Sequence, residues 1–249
     1  MNKTDLKEKI WTNAEYLNYV NFLRTLSDEN CKKFNDKITP ATGSEIFGVR
    51  VPKLRECAKE IAKGDFRAFL DCADNLAASA PLSHEEITVY GLVIGYAKHL
   101  PFGELCERIR RYSRLVNNWA CCDVPVSTLK AIREYSEEYK IEIQGFLNAE
   151  NPWQQRVGVI ILLDHYLSAE DNAEYALTQI NRVNSGEYYV QMAQAWLIAT
   201  ALAKHRGLTK RYLETDFSLG NEVLKMTVRK LRDSYRVSAE DKEWAKTLL

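Results

Sequence analysis

No stretch of this 249-residue chain is apolar for long enough to cross a bilayer, which takes about 20 consecutive apolar residues. No Cys-x-x-Cys pair is present, and the four histidines are not spaced with the six cysteines as metal ligands would be. Metal-stapled and metal-dependent classes are therefore set aside, and no cofactor is expected. Adjacent Cys121 and Cys122 cannot bond each other without strain. All six cysteines (Cys31, Cys57, Cys72, Cys106, Cys121, Cys122) read as reduced, mostly buried thiols of a cytoplasmic protein. Residues 1–8 mix both charges and lack an apolar core, so neither a signal nor a transit peptide is expected there. Net charge is lacking too: 34 Lys and Arg balance 34 Asp and Glu, whereas a dedicated nucleic-acid binder is usually basic.

What is there is an ordinary globular composition, 46% apolar, with length enough for a substantial core. We expect one domain over 1–249. Leu6, Ile10, Trp11, Leu17, Val20 and Leu23 recur at helical spacing and predict a helix over 5–25. A polar connection follows, punctuated by Thr39-Pro40-Ala41-Thr42-Gly43. Pro52 fits the first turn of a helix running to about residue 63, and a short helix over 65–76 comes next. Ser83-His84-Glu85-Glu86 is a capping box and opens another.

From there the starts become periodic. They fall near 83, 119, 152, 187 and 219, with shorter partner helices starting near 102, 138, 170, 209 and 238. Asn151-Pro152 reads as an N-cap and first-turn proline, and Ser168-Ala169-Glu170-Asp171 and Ser238-Ala239-Glu240-Asp241 as caps. Val157-Gly158-Val159-Ile160-Ile161-Leu162-Leu163 has the caps and length of a buried helix, not a strand. A helix pair recurring at this period predicts an all-α fold. It favours a curved α-solenoid with a concave binding surface over an irregular bundle.

Charge is uneven along the chain. Residues 201–232 hold eight Lys/Arg against three acids, including Lys204, Arg206, Lys210 and Arg211. Arg108, Arg110, Arg111 and Arg114 form a second basic run, and residues 134–150 are acidic. Any one such run is ordinarily a solvated helix face. Two basic runs flanking a shared element would suit a polyanion.

That element is Asn117-Asn118-Trp119-Ala120-Cys121-Cys122-Asp123. On a helix, Trp119 and Asp123 share a face, and an indole beside a carboxylate can receive developing positive charge. Two plainer readings stand beside this one. An Asp two residues before Pro125 is common helix-start chemistry, and Trp119 can simply be core. Pro125 would also bend the helix start and rotate Asp123 away from Trp119.

Three further segments carry a resemblance. Gly48-Val49-Arg50-Val51-Pro52-Lys53-Leu54-Arg55 resembles a signature near the N-terminus of the AlkD-type DNA alkylation repair family, built from HEAT-like repeats. Trp119-x-x-x-Asp123 looks like that family's catalytic Trp/Asp pair. Asn151-Pro152-Trp153-Gln154-Gln155-Arg156-Val157 is similar to the segment with its active-site arginine, which puts Arg156 in that role. Tyr188-Tyr189-Val190-Gln191-Met192-Ala193-Gln194-Ala195-Trp196 is similar to the helix with its second active-site tryptophan, Trp196 here. The resemblance implies a curved array of HEAT-like helix pairs and release of cationic N3- or N7-alkylated purines from double-stranded DNA. Asp123, Trp119 and Trp196 would be catalytic. Arg156 would grip a phosphate, and Lys204, Arg206, Lys210 and Arg211 would be outer DNA contacts. A monomer without membrane attachment is expected. The alternative, from a different class, is a non-catalytic helical-repeat module binding DNA structure or a protein partner.

Overall fold

The computed structural model describes residues 3–40 and 43–249, and among them every regular element is helical. The punctuation expected at Ala41-Thr42 lies outside the described residues. The chain divides into two compact units, Met1–Ala131 and Ile132–Leu249.

The first unit opens with a 3-10 turn, Lys3–Glu8, followed by α1 (Asn13–Thr25) and α2 (Glu29–Ile38). The helix expected over 5–25 is thus broken at residues 9–12. The break lets Trp11 turn inward, where it packs edge-on against Phe69 with ring centroids 4.8 Å apart. Thr12 then restarts the helix by accepting from the amide of Glu15 (3.2 Å). The connection expected after residue 25 contains α2, none of whose residues is buried. Its support is local: Asp28 caps Cys31 (2.9 Å), and Glu29–Lys33 and Lys32–Asp36 pair at i,i+4.

Next come α3 (Val51–Ile61), α4 (Phe66–Ala77), α5 (His84–Tyr96), α6 (Phe102–Leu115) and α7 (Trp119–Val126). Helix α5 starts at the expected capping box, with Ser83 and Glu86 bonding reciprocally. It is buried from His84 to Ile94 and packs against α3 on one side and α7 on the other.

The second unit is entered through a 3-10 turn, Lys130–Tyr135. It comprises α8 (Lys140–Leu147), α9 (Pro152–His165), α10 (Glu170–Ile180), α11 (Tyr188–Lys204), α12 (Arg206–Arg211), α13 (Asn221–Asp233) and α14 (Ala239–Lys246). The run Val157–Leu163 is helical and buried, as its caps and length require. Helix α11 packs between α9 and α13, while α8 lies on α9 and α14 on α13. Ser238 caps α14 as expected. At α10 the N-cap is Ala169, without a side-chain bond, so the Ser168 cap is not formed. Helix α12 begins at Arg206, ahead of the start expected near 209, and passes into a π-helical turn at Tyr212–Asp216. All six cysteines are free thiols, and only Cys31 is not buried.

Candidate nucleic-acid site

Helix α7 begins where it does because Asn118 is extended (φ −153°, ψ 165°). Its Oδ1 accepts from the amides of Ala120 (3.0 Å) and Cys121 (3.1 Å). Asn118 is held in turn: its Nδ2 lies 2.9 Å from Asn117 Oδ1 and 3.2 Å from His84 Nδ1. Asn117 donates to Ser44 Oγ (2.6 Å). Burial lowers the pKa of His84 against the opposing pull of Glu85 and Asn118, and a neutral ring can accept at Nδ1. With the cap at residue 118, Asp123 sits inside the helix. The helix-start reading of Asp123 is therefore corrected.

Trp119 is half-buried, not core, and its Nε1 donates to the carbonyl of Ile38 at the end of α2 (3.1 Å). Asp123 is likewise half-buried. Both lie on α7, which runs from Trp119 to Val126 and continues through Pro125.

The reason is Tyr112. Proline has no N–H to give the carbonyl of Cys121, four residues back. The Tyr112 hydroxyl donates to that carbonyl instead, and it lies 3.2 Å from the carbonyl of Cys122. Burial pushes the pKa of Tyr112 far up, so the hydroxyl keeps its proton to donate. Gly91 makes room for the arrangement. A Cβ there would lie 2.6 Å from both the Pro125 Cβ and the Tyr112 ring. Sequence reasoning missed Tyr112 and Gly91, because their partners meet them only in space.

The 48–55 segment is fixed from α5. Glu85, fully buried, accepts from the amides of Phe47 (2.9 Å), Gly48 (2.8 Å) and Val49 (3.1 Å). Gly48 adopts φ 85°, and any Cβ would meet Lys32 at 2.6 Å, so no other residue fits. Helix α3 then carries Arg55 to α7, with Nη1 on the Tyr96 hydroxyl (2.9 Å) and Nη2 3.5 Å from the carbonyl of Val124, next to Asp123.

The arginine run of α6 serves a different purpose from the one expected. Arg108 pairs with Asp71 (2.7 Å), Arg111 with Asp74 (2.9 Å) and Glu107 (2.8 Å), and Arg110 with Glu107 (3.2 Å). Arg108 and Arg111 thus tie α6 to α4, and these three charges are matched within the unit.

In the second unit, Asn151 caps α9 through the amide of Trp153 (2.8 Å). Arg156, one turn on, is 4% exposed and donates to the Tyr189 carbonyl in the first turn of α11. The Trp153 and Tyr189 rings lie 5.3 Å apart. Trp196 is 39% exposed on an otherwise buried stretch of α11, and Lys230 of α13 stands 5.9 Å from its ring centroid. That ring already attracts a cation.

The outer basic residues differ in their surroundings. Arg206 (2.8 Å) and Lys210 (2.7 Å) both reach Asp241, which is buried. Arg206 also reaches Glu240 (3.0 Å), and Arg211 lies 3.6 Å from Glu174. Hydrogen bonds from Arg206 foremost, and then from Lys210 and Ser238, hold the carboxyl of Asp241 well below the usual range against some burial. Lys204 is exposed and makes no ion pair among the described residues. The structure therefore brings Trp119 together with Asp123 in one unit. In the other it sets Arg156 against the start of α11, and Trp196 beside Lys230.

Comparison with known families gives the class, a DNA repair protein. The chain belongs to the DNA alkylation repair enzyme family, whose model matches residues 21–237 and so takes in Trp119, Asp123, Arg156 and Trp196. No individual curated protein matches it.

Proposed function

We propose that the protein is a monofunctional DNA glycosylase for cationic N3- and N7-alkylated purines in duplex DNA, built from HEAT-like helix pairs. The observation that carries this reading is the indole–carboxylate pair on one unbroken helix face, kept unbroken through Pro125 by Tyr112. A base already bearing positive charge leaves as a neutral purine, so no general acid is needed. As the glycosidic bond breaks, its electron pair goes to the base and positive charge collects on the sugar. Asp123 stabilises that charge and orients a water, whose oxygen bonds to C1′ and whose proton passes through the carboxylate to solvent. The face of Trp119 holds the cationic unit, and Trp196, whose ring already attracts Lys230, is the second aromatic this reading assigns to DNA. Arg156, set against the start of α11, is the residue this reading assigns to a neighbouring phosphate. Lys204 is an outer contact, and Arg206 and Arg211 join it by exchanging carboxylate partners for phosphate, while Lys210 stays on Asp241.

The test is single-turnover release of 7-methylguanine from methylated duplex. Asp123→Asn removes the charge and keeps the shape, so release should fall on the order of 10²–10³-fold with affinity for DNA unchanged. Equal rates in wild type and Asp123→Asn would remove Asp123 from the reaction. The burial of Arg156 favours a second reading, a non-catalytic module that binds DNA or a protein. Binding without any release from the wild-type chain would establish that reading and sink the first.

A further inference from the structure

The two ends of a side-chain amide have nearly the same shape, but one only accepts and the other only donates. Shape does not fix which way round Asn118 sits, so its partners must. Asn118 is buried, and all its bonding capacity toward α7 and α5 is taken up. Its Oδ1 accepts from the amides of Ala120 and Cys121, while its Nδ2 lies 2.9 Å from Asn117 Oδ1 and 3.2 Å from His84 Nδ1. Backbone amides can only donate, so Oδ1 is the end turned to α7. Nδ2 can only donate as well, so His84 Nδ1 carries a lone pair. That requires the neutral ring with its proton on Nε2. The other contacts brace this arrangement. Asn117 donates its own Nδ2 to Ser44 Oγ, which leaves its oxygen for Asn118, and the His84 amide donates to the carbonyl of Glu45 (2.9 Å).

We propose that His84 is a positioning residue for the reaction: the lone pair on its Nδ1 fixes which way Asn118 faces, and through that cap the start of α7 and the stance of Trp119, its first residue. The inference rests on the glycosylase reading for the reaction, and it deepens that reading by adding a residue that acts without touching DNA. Protonation of His84 would set two N–H groups face to face. Asn118 would then swing off or turn its amino group toward the amides of Ala120 and Cys121, which also only donate, and α7 would lose its cap. Burial opposes this by lowering the pKa of the ring, which keeps it neutral at neutral pH. The charge that bears on the ring is that of Glu85, its neighbour on α5. From the other elements, Asn118 of α7 meets it as a neutral amide, and Glu45 of the segment before α3 is paired with Arg24 of α1 (2.6 Å).

Nitrogen NMR on the full wild-type chain tests the geometry without any variant. At neutral pH the Nδ1 of His84 should be unprotonated. As the pH falls from about 7.5 to 5.5, the indole N–H of Trp119, which donates to Ile38, should shift in step with protonation of His84. A proton on Nδ1 at neutral pH would overturn the proposal, and so would a Trp119 signal indifferent to the titration. Two variants carry the test to the reaction. His84→Phe keeps a ring and removes the acceptor. His84→Asn hangs an accepting Oδ1 on Cγ, where Nδ1 was, and does not titrate. Single-turnover release of 7-methylguanine at about pH 7.5 should fall on the order of tenfold in His84→Phe, as for one lost cap, and stay within about threefold of wild type in His84→Asn. The fall in rate that wild type shows as His84 is protonated should be missing from His84→Asn. An identical acid-side fall in both proteins would overturn the proposal, as would an equal loss of rate in the two variants. A Trp119 signal that follows His84 in a wild type without release would sink the glycosylase reading and keep the positioning, and release with an indifferent Trp119 would do the reverse.

Discussion

The pairing of Tyr112 with Pro125 makes a prediction that the structure quantifies. Tyr112→Phe keeps the ring that packs over Gly91 and deletes only the hydroxyl. The carbonyl of Cys121 then has neither the helix amide that proline lacks nor the side-chain donor that replaced it. An orphaned buried carbonyl costs about 1–3 kcal/mol, so a loss of about 2 kcal/mol is expected. In a chain of this size that corresponds to roughly 4–8 °C in Tm. Pro125→Ala supplies an N–H at the right place. Since a carbonyl oxygen has two lone pairs, this change should be nearly neutral beside an intact Tyr112. In the double variant the new amide takes over, and Tyr112→Phe should cost about 1 kcal/mol less than it does alone. Urea unfolding of the four proteins gives the coupling directly, and effects that add within about 0.3 kcal/mol would refute the reasoning. On the proposed function, excision should follow the same pattern: slowed in Tyr112→Phe and partly recovered in the double variant, because Asp123 rides on the repaired turn.

Helix identity was legible in the sequence wherever a cap and a core-facing period coincided. Ser83, Asn151 and Ser238 each start a helix as read, and the starts at His84, Trp119, Pro152, Tyr188 and Asn221 keep the expected spacing. Helix α2 was missed although Cys31, Phe34 and Ile38 recur at helical spacing, because these three stand alone among seven polar residues, and the break before α1 was hidden because Trp11 continues an apolar period that the backbone abandons. At the candidate site, the spacing of Trp119 and Asp123 could be read, but not what secures it. The donor for Pro125 sits 13 residues upstream on α6, and the glycine admitting both rings lies on α5. Charge runs misled for a related reason. A string of arginines looks the same whether it meets solvent or, as on α6, the carboxylates of the neighbouring helix.

Three more outcomes follow from the same contacts. Glu85→Ala strips three amides of a buried acceptor and should destabilise the first unit by several kcal/mol, at about 1.5–3 kcal/mol per charge-assisted bond. Glu85→Gln should recover part of that, and unchanged urea midpoints would contradict the account. His84 has its folded-state pKa lowered by burial, so below about pH 6.5 the unfolded chain binds the proton more readily and stability should fall as pH drops. His84→Gln should flatten that slope between about pH 7.5 and 5.5, and identical slopes would exclude His84 as its source. The last concerns the outer basic residues, where number of charges and availability of charge part company. Lys204 has no carboxylate to give up, so Lys204→Ala should weaken duplex binding and reduce the magnitude of its salt slope by about 1. Lys210 is committed to Asp241 and lies over the Trp244 ring at 4.4 Å, so Lys210→Ala should lower stability more than it lowers affinity. Titrations at several salt concentrations alongside urea unfolding separate the two residues. If the Lys210 variant loses as much salt slope as the Lys204 variant at unchanged stability, phosphate is the better partner for Lys210, and the α12–α14 pairing opens when DNA binds.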